Sequence, residues 1–319
     1  MTLETAQDRA LLKLAESLRD SGYRFTTPSP LTHERVNQRP ENAVAHDLAG
    51  VFGWSRLFPA ELLPPALFTL MDQAGVLEAR EHRWHSKVRL SSLAGELFLH
   101  SAYPTRAADS VFFGPDTYRF ANAIQAHLAS RFTTIERAID IGCGSGAGAI
   151  LVAKARPQAD VLAIDINPEA LRLTRLNAAL ADVANLRAQH SDLLADVTGE
   201  FDLIVANPPY LVDPHERAYR HGGGPLGAGL SLKIVDAALD RLAPGGCLLL
   251  YTGVAMIDNG DPFLAEIERR LEGRGFDWHY RETDPDVFGE ELLSGAYVHC
   301  DRIAAVVLEV TRPSHTGLA

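Results

Sequence analysis

The chain has 319 residues, of which 46% are hydrophobic and 22% charged, and its formal net charge is −11. That length exceeds a usual single domain, and the composition is that of a globular chain with enough apolar matter for a core. The acidic balance weighs against a large phosphate-neutralising surface, and no apolar run approaches the roughly 20 residues of a membrane span. The N-terminal stretch has mixed charges and no apolar core of a secretory signal. Cys143, Cys247 and Cys300 are odd in number and lack CxxC spacing, which fits a reducing cytoplasm rather than a disulfide framework. A cytoplasmic chain with no membrane partner is expected.

Residues 5–21 have helical periodicity, with Ala6, Leu11, Leu14, Ala15 and Leu18 on one side. A polar, proline-bearing link, "TTPSPLTHERVNQRPEN", follows. "AVAHDLAGVFGWS" and "PPALFTLMDQAG" read as helices, the second stopped at Gly75. "VLEAREHRWHSKVRLSSLAGELFLH" then reads as strand, turn and strand. Residues 1–105 are therefore expected to form a helical, winged-helix-like domain. Its candidate recognition helix, 64–75, carries no Lys or Arg, so substrate recognition or homodimerisation is favoured over reading DNA.

Beyond residue 105 the pattern changes to an alternation of strand and helix over 106–319. The strands are "RAIDIG", "VLAIDI", "LRAQH", "FDLIVAN", "CLLLYTG" and "IAAVVLEV", with helices at about 146–156, 168–181 and 229–242. Pro168 fits a helix N1 position, and "PGG" at 244–246 would stop the third helix. Such alternation means an α/β, doubly wound, mostly parallel sheet, whose ligands bind beyond the carboxyl ends of the strands.

The first of these strands runs into Asp140, Gly142, Cys143, Gly144, Ser145 and Gly146. Glycines there let the backbone turn sharply and a ligand approach closely. The second strand ends at Asp165, followed by Ile166 and Asn167, where a carboxylate can accept from both ribose hydroxyls. The third ends at Ser191, Asp192 and Leu193; Asp192 suits an adenine amino group or, equally, a helix N-cap. Gly142, Gly144 and Ala147 also satisfy the dinucleotide fingerprint, so the loop by itself leaves NAD open. Asp140, two residues before the first glycine, suits a cationic ligand such as the amino-acid end of S-adenosylmethionine. Cys143 reads as a small residue packed under the cofactor, and His82 and His85 lack a third ligand, so no metal is expected.

The fourth strand ends in Asn207-Pro208-Pro209-Tyr210. The prolines end the ladder rigidly. The Asn207 side-chain carbonyl and a main-chain carbonyl of the corner form a pair of acceptors suited to a planar –NH2 group. Tyr210 offers an aromatic face to an amide or a base. Drawing both N–H groups into these acceptors favours charge build-up on nitrogen as it attacks a methyl group, so Asn207, Pro208, Pro209 and Tyr210 are the candidate catalytic residues.

Together these motifs resemble class I S-adenosylmethionine-dependent methyltransferases that methylate amino groups, over about residues 105–312. The nearest resemblance is to the HemK/PrmC-like protein-glutamine N5-methyltransferases. "VFFGPDTY", 111–118, resembles that family's "IPRPDTE" segment, and "GGGPLGAGLSLKIV", 222–235, its "ALDGGxDGL" segment. The resemblance implies a seven-stranded, Rossmann-like sheet, S-adenosylmethionine as cofactor and a cleft lined by Pro115, Asp116, Thr117 and Tyr118. Thr117 joins the cofactor set, as does Asn207. It implies a protein glutamine as substrate, with a nucleic-acid base amine or a small molecule as the alternatives. Tyr251 stands where the family often has Glu, and the N-terminal residues and the tail from Asp284 depart from the family's pattern.

Overall fold

The computed structural model describes residues 5–105, 107–130, 134–213, 217, 219–293 and 295–314. α1 (Ala6–Asp20) begins where the Thr5 side chain accepts the Asp8 N–H, and its buried stripe is Leu11, Leu14 and Leu18. The supposed polar link contains α2 (Pro30–Asn37), capped by Ser29 with Pro30 at its first position. α3 (Leu48–Phe52) is shorter than the helical pattern suggested. The Asp47 side chain accepts the Gly50 N–H and starts the helix there, while Val44 stays extended and bridges Leu57. α4 (Pro65–Gln73) stops before Gly75, which has φ of +69°.

The single expected hairpin is two. β1 (Leu77–Arg80) pairs with β2 (Arg83–Ser86), and β3 (Val88–Leu93) with β4 (Glu96–Ser101). Between them the Ser86 hydroxyl bonds both the N–H and the carbonyl of Val88, a local arrangement that competes with ladder pairing.

α5 (Pro115–Ser130) was not foreseen as a helix. Its core face is Phe120, Ile124 and Leu128, four residues apart. The remaining elements are β5 (Arg137–Ile141), α6 (Ala147–Ala155), β6 (Asp160–Asp165), α7 (Pro168–Leu180), β7 (Leu186–His190), β8 (Phe201–Ala206), α8 (Gly229–Leu239), β9 (Leu242–Met256), α9 (Pro262–Leu271), β10 (Asp277–Asp284) and β11 (Arg302–Thr311). They form a seven-stranded sheet of order β10-β11-β9-β8-β5-β6-β7. The five strands from β9 to β7 are parallel; β11 runs antiparallel to them, and the edge strand β10 is antiparallel to β11. Six strands lie where the sequence placed them; β10 is the added seventh. Pro244–Gly246 does not stop α8, which ends at Leu239. It lies within the start of β9, where the register with β8 shifts between Phe201↔Leu242 and Leu203↔Cys247.

Apolar cores fill both faces of the sheet. A third core lies among α1, α3, α4 and the hairpins, and it includes Ala170, Leu173, Leu176 and Leu180 of α7. The N-terminal residues thus close over one face of a helix that belongs to the sheet. Among the described residues, no helix is long and apolar enough to cross a membrane.

Candidate active site

β5 is the first strand of the βα series, and the chain winds from it to β6 and β7 on one side and to β8 and β9 on the other. The crevice at such a switch point is where open α/β sheets bind ligands. A cavity of about 430 Å³ opens there. It brings together the glycine loop after β5, the acids after β6 and β7, and the Asn-Pro-Pro-Tyr corner after β8.

Gly142 and Gly144 have φ of +70° and +54°, so β-carbons would be strained there. A β-carbon on Gly142 would meet nothing within 4 Å, and one on Gly144 only Val111 at 3.9 Å. Since both residues line the cavity, side chains would fill the space a ligand needs. The N–H groups of Gly142 and Cys143 donate to the Ile164 carbonyl, that of Gly146 to Cys143, and that of Gly144 to Asp165. The glycines therefore offer closeness rather than a ring of free donors, which suits an uncharged or cationic ligand better than a pyrophosphate.

Each Asp165 oxygen accepts one backbone N–H, from Gly144 at 3.0 Å and Asn167 at 2.9 Å, which fixes the carboxylate and leaves lone pairs for a ligand. Burial raises its pKa, against the pull of the bonds from Asn167 and Gly144. Ile166 is 53% exposed although large and apolar, and it lines the cavity, a flat apolar surface for a base. Ser191, Asp192 and Leu193 line the same end; no helix starts at Asp192, so the N-cap alternative falls away.

Four of the expected cofactor residues are not in the lining. The Asp140 carboxylate is buried and accepts the Ala149 N–H at 2.8 Å in the first turn of α6. Burial pushes its pKa up to about 7, against that bond. The sequence reading had this acid facing a cationic ligand; the structure turns it to the helix instead. Cys143 is buried with its sulfur 3.4 Å from the Thr174 hydroxyl, and burial pushes its thiol up, which fits a packed residue and not a nucleophile. Ser145 and Gly146 shape the turn, and a β-carbon on Gly146 would collide with Thr174 at 2.9 Å.

At the other end, Asn207, Pro208, Pro209 and Tyr210 all line the cavity, and the Asn207 amide makes no hydrogen bond among the described residues. The Tyr210 ring is buried against Gly253, where a β-carbon would lie 2.1 Å from it, and stands edge-on to Phe288 at 5.9 Å. Asp116 and Thr117 of α5 line the cavity, but Pro115 and Tyr118 do not. The Tyr118 hydroxyl accepts the Thr27 N–H, and Phe113 is core.

Sequence reasoning missed part of the acceptor end. Tyr103, Pro104 and Thr105 line it from the N-terminal side, and Arg217, Tyr219 and Arg220 from the segment after Tyr210. The two are joined where the Tyr219 hydroxyl donates to the Thr105 carbonyl at 2.8 Å. Arg217 is held by the buried Asp213 at 2.6 and 2.8 Å, and its bonds depress the Asp213 carboxyl. Arg220 is paired with Glu291. The available signal was "RAYRHGGGP", with aromatic and basic residues just before a glycine run in a segment adjoining Asn-Pro-Pro-Tyr.

The crevice thus joins a fixed carboxylate, an exposed apolar side chain and a donor-poor corner at the strand ends of a Rossmann-like sheet. Residues 121–256 match the methyltransferase small domain family. Among curated proteins, the chain is 34% identical over 230 residues to the release factor glutamine methyltransferase of Deinococcus radiodurans, covering 67% of this chain and 78% of that protein. It is 31% identical over 191 residues to the protein of the same name from Koribacter versatilis, covering 55% of this chain and 62% of the relative. It is 30% identical over 220 residues to the ribosomal protein uL3 glutamine methyltransferase of Xanthomonas campestris pv. campestris, covering 65% and 67%. The chain belongs to the methyltransferase family that includes the release factor glutamine methyltransferases, and it is an S-adenosylmethionine-dependent methyltransferase. That closes the NAD alternative left open by the glycine loop.

Proposed function

We propose that the protein methylates the side-chain amide nitrogen of a glutamine in a protein substrate. The observation that carries this reading is the Asn207–Tyr210 corner lining one cavity with the glycine loop and Asp165, with the Asn207 amide unengaged among the described residues. The glutamine substrates named for the curated relatives support it.

In this reading Asp165 holds the ribose hydroxyls, Ile166 packs against the adenine, Asp192 accepts from its amino group, and Gly142 and Gly144 allow close approach. Thr117 and Asn207 border the reacting end, while Asp140, Cys143, Ser145 and Gly146 hold the loop in shape from behind. The bound cofactor supplies a methyl group on a sulfonium, already an excellent leaving group. The chain's residues therefore need to orient and neutralise rather than to deprotonate. The Asn207 side-chain oxygen and a carbonyl of the proline corner accept the two amide N–H groups and favour positive charge as it develops on nitrogen. Tyr210 and Phe288 bound the planar group, and the proton leaves nitrogen after the transfer.

The N-terminal residues serve substrate positioning in this reading, because Pro30, Tyr103, Pro104 and Thr105 contribute to the cavity itself. The test is tritium transfer from labelled S-adenosylmethionine to purified, unmodified bacterial release factor and uL3, followed by hydrolysis and identification of N5-methylglutamine. Label found instead in a nuclease-sensitive fraction of a cell lysate would overturn the glutamine assignment. Asn207→Ala is expected to lower kcat roughly 100- to 1,000-fold with cofactor affinity nearly unchanged.

A further inference from the structure

Under the acceptor corner lies a buried polar cluster with no part in the scheme above. Asp116 stands in the first turn of α5 and takes hydrogen bonds both from that helix and from the sheet. The Tyr251 hydroxyl of β9 donates to Asp116 Oδ1 at 2.7 Å, and Arg119 donates to the same oxygen at 3.3 Å. Arg119 is in turn fixed by Asp284 of β10 at 2.7 Å. Among the described residues no donor completes a hydrogen bond to Asp116 Oδ2.

The Tyr210 hydroxyl is buried, has no hydrogen-bond partner among the described residues and faces this carboxylate. An unpartnered buried hydroxyl is costly, and the neighbouring Asp116 carboxylate keeps spare accepting capacity. Tyr210 also closes the Asn-Pro-Pro-Tyr corner, so whatever fixes its ring fixes the adjoining Pro209 carbonyl. Tyr251 gives the cluster a character of its own, since it brings a phenol into hydrogen bonding with Asp116 at this strand end.

We propose that Asp116, braced by Tyr251 and Arg119, is a positioning residue for the methyl acceptor that acts through Tyr210. The inference rests on the reading that the Asn207–Tyr210 corner holds the acceptor nitrogen, and does not depend on that nitrogen belonging to glutamine. Burial raises the Asp116 pKa, while the bond from Tyr251, the nearby Tyr210 hydroxyl and Arg119 pull it down. The groups facing it are Tyr251 from β9, Tyr210 from the end of β8 and Arg119 on its own helix, with Asp284 behind Arg119. Protonation of Asp116 would remove its hold on one tyrosine, so turnover should decline on the acid side through this group.

The test is a double-mutant cycle on the full chain, comparing wild type, Asp116→Asn, Tyr210→Phe and the pair, with Tyr251→Phe as a check on the brace. Transfer is read as tritium entering a lysate of cells that lack the protein, with lysate concentration varied. Calorimetry reads S-adenosylmethionine binding, and melting temperature reads folding. Asp116→Asn is expected to lower kcat about tenfold with cofactor affinity held within about twofold, and the pair to be no slower than the worse single variant. Tyr251→Phe should lose about threefold, and the acid limb of the pH profile should be absent from Asp116→Asn. Effects that multiply in the pair, unchanged turnover in Asp116→Asn, or a matching loss of cofactor affinity would each overturn the proposal. Nuclease-sensitive label in the lysate would overturn the glutamine reading alone and leave the cycle interpretable.

Discussion

Asp140 and Asp165 end neighbouring parallel strands, yet they meet opposite surroundings. Asp165 faces the cavity, held by two N–H groups, whereas Asp140 turns under the glycine loop to α6. The Asp140 pKa is pushed up to about 7, against roughly 3.9 in an unfolded chain. Between those values the folded state binds more protons than the unfolded one, so stability falls as pH rises through the window, and the full cost is present above it. Asp140→Asn keeps an oxygen for the Ala149 N–H and removes the ionisation. The cofactor-free variant is expected to be more stable than wild type by roughly 1–4 kcal/mol at pH 8, with the gain shrinking toward zero near pH 4. Equal gains at both pH values, in melting or denaturant titrations, would mean that ionisation is not the cause. The motif disclosed both acids, but not which way each carboxylate turns, since strand ends do not fix side-chain direction. Composition hinted at Arg217, Tyr219 and Arg220, but not at the pairing of Arg217 with Asp213 and of Arg220 with Glu291 that accompanies their place at the cavity.

At the scale of elements, the segment around Gly222 to Gly229 presses on the Asn-Pro-Pro-Tyr corner. A β-carbon on Gly227, whose φ is +82°, would lie 2.0 Å from the Tyr210 carbonyl oxygen. One on Gly222 would lie 2.6 Å from that of Pro209. The glycine run thus reads as a backbone clamp on Pro209 and Tyr210. Gly227→Ala is expected to destabilise the protein by about 1–3 kcal/mol and to lower kcat more than cofactor affinity. A variant that melts normally and turns over normally would remove the clamp from the account. Near-continuous apolar runs marked β5, β6, β8 and β9 because they are buried on both faces. β10 escaped notice because "DWHYRETD" is a largely exposed edge strand with little apolar signal. α9 had the clearer missed signal, an Asp261 cap followed by Pro262.

For the whole molecule, the decisive packing is around α7. One face supports the sheet, while Ala170, Leu173, Leu176 and Leu180 belong to the N-terminal core. Asn177 bonds both the N–H and the carbonyl of Leu99 and also the Ser145 carbonyl, and Arg172 reaches Asp8 at 2.6 Å. The change of pattern near residue 105 gave no sign that a sheet helix completes the N-terminal core. The full chain is expected to melt in a single calorimetric transition, and residues 106–319 alone to bind an apolar dye and aggregate because that stripe is uncovered. Two resolved transitions, or a soluble and cooperative fragment, would contradict this account.

A helix shared in this way also limits how the protein can change over generations. The N-terminal residues cannot be exchanged as a unit, since their removal uncovers the outer face of α7. A substitution on the outer face of α7 must be answered from α1 or the hairpins, while its inner face answers to the sheet. Change is least constrained at the rim around Tyr103, Thr105 and Tyr219, which line the cavity and belong to none of the cores.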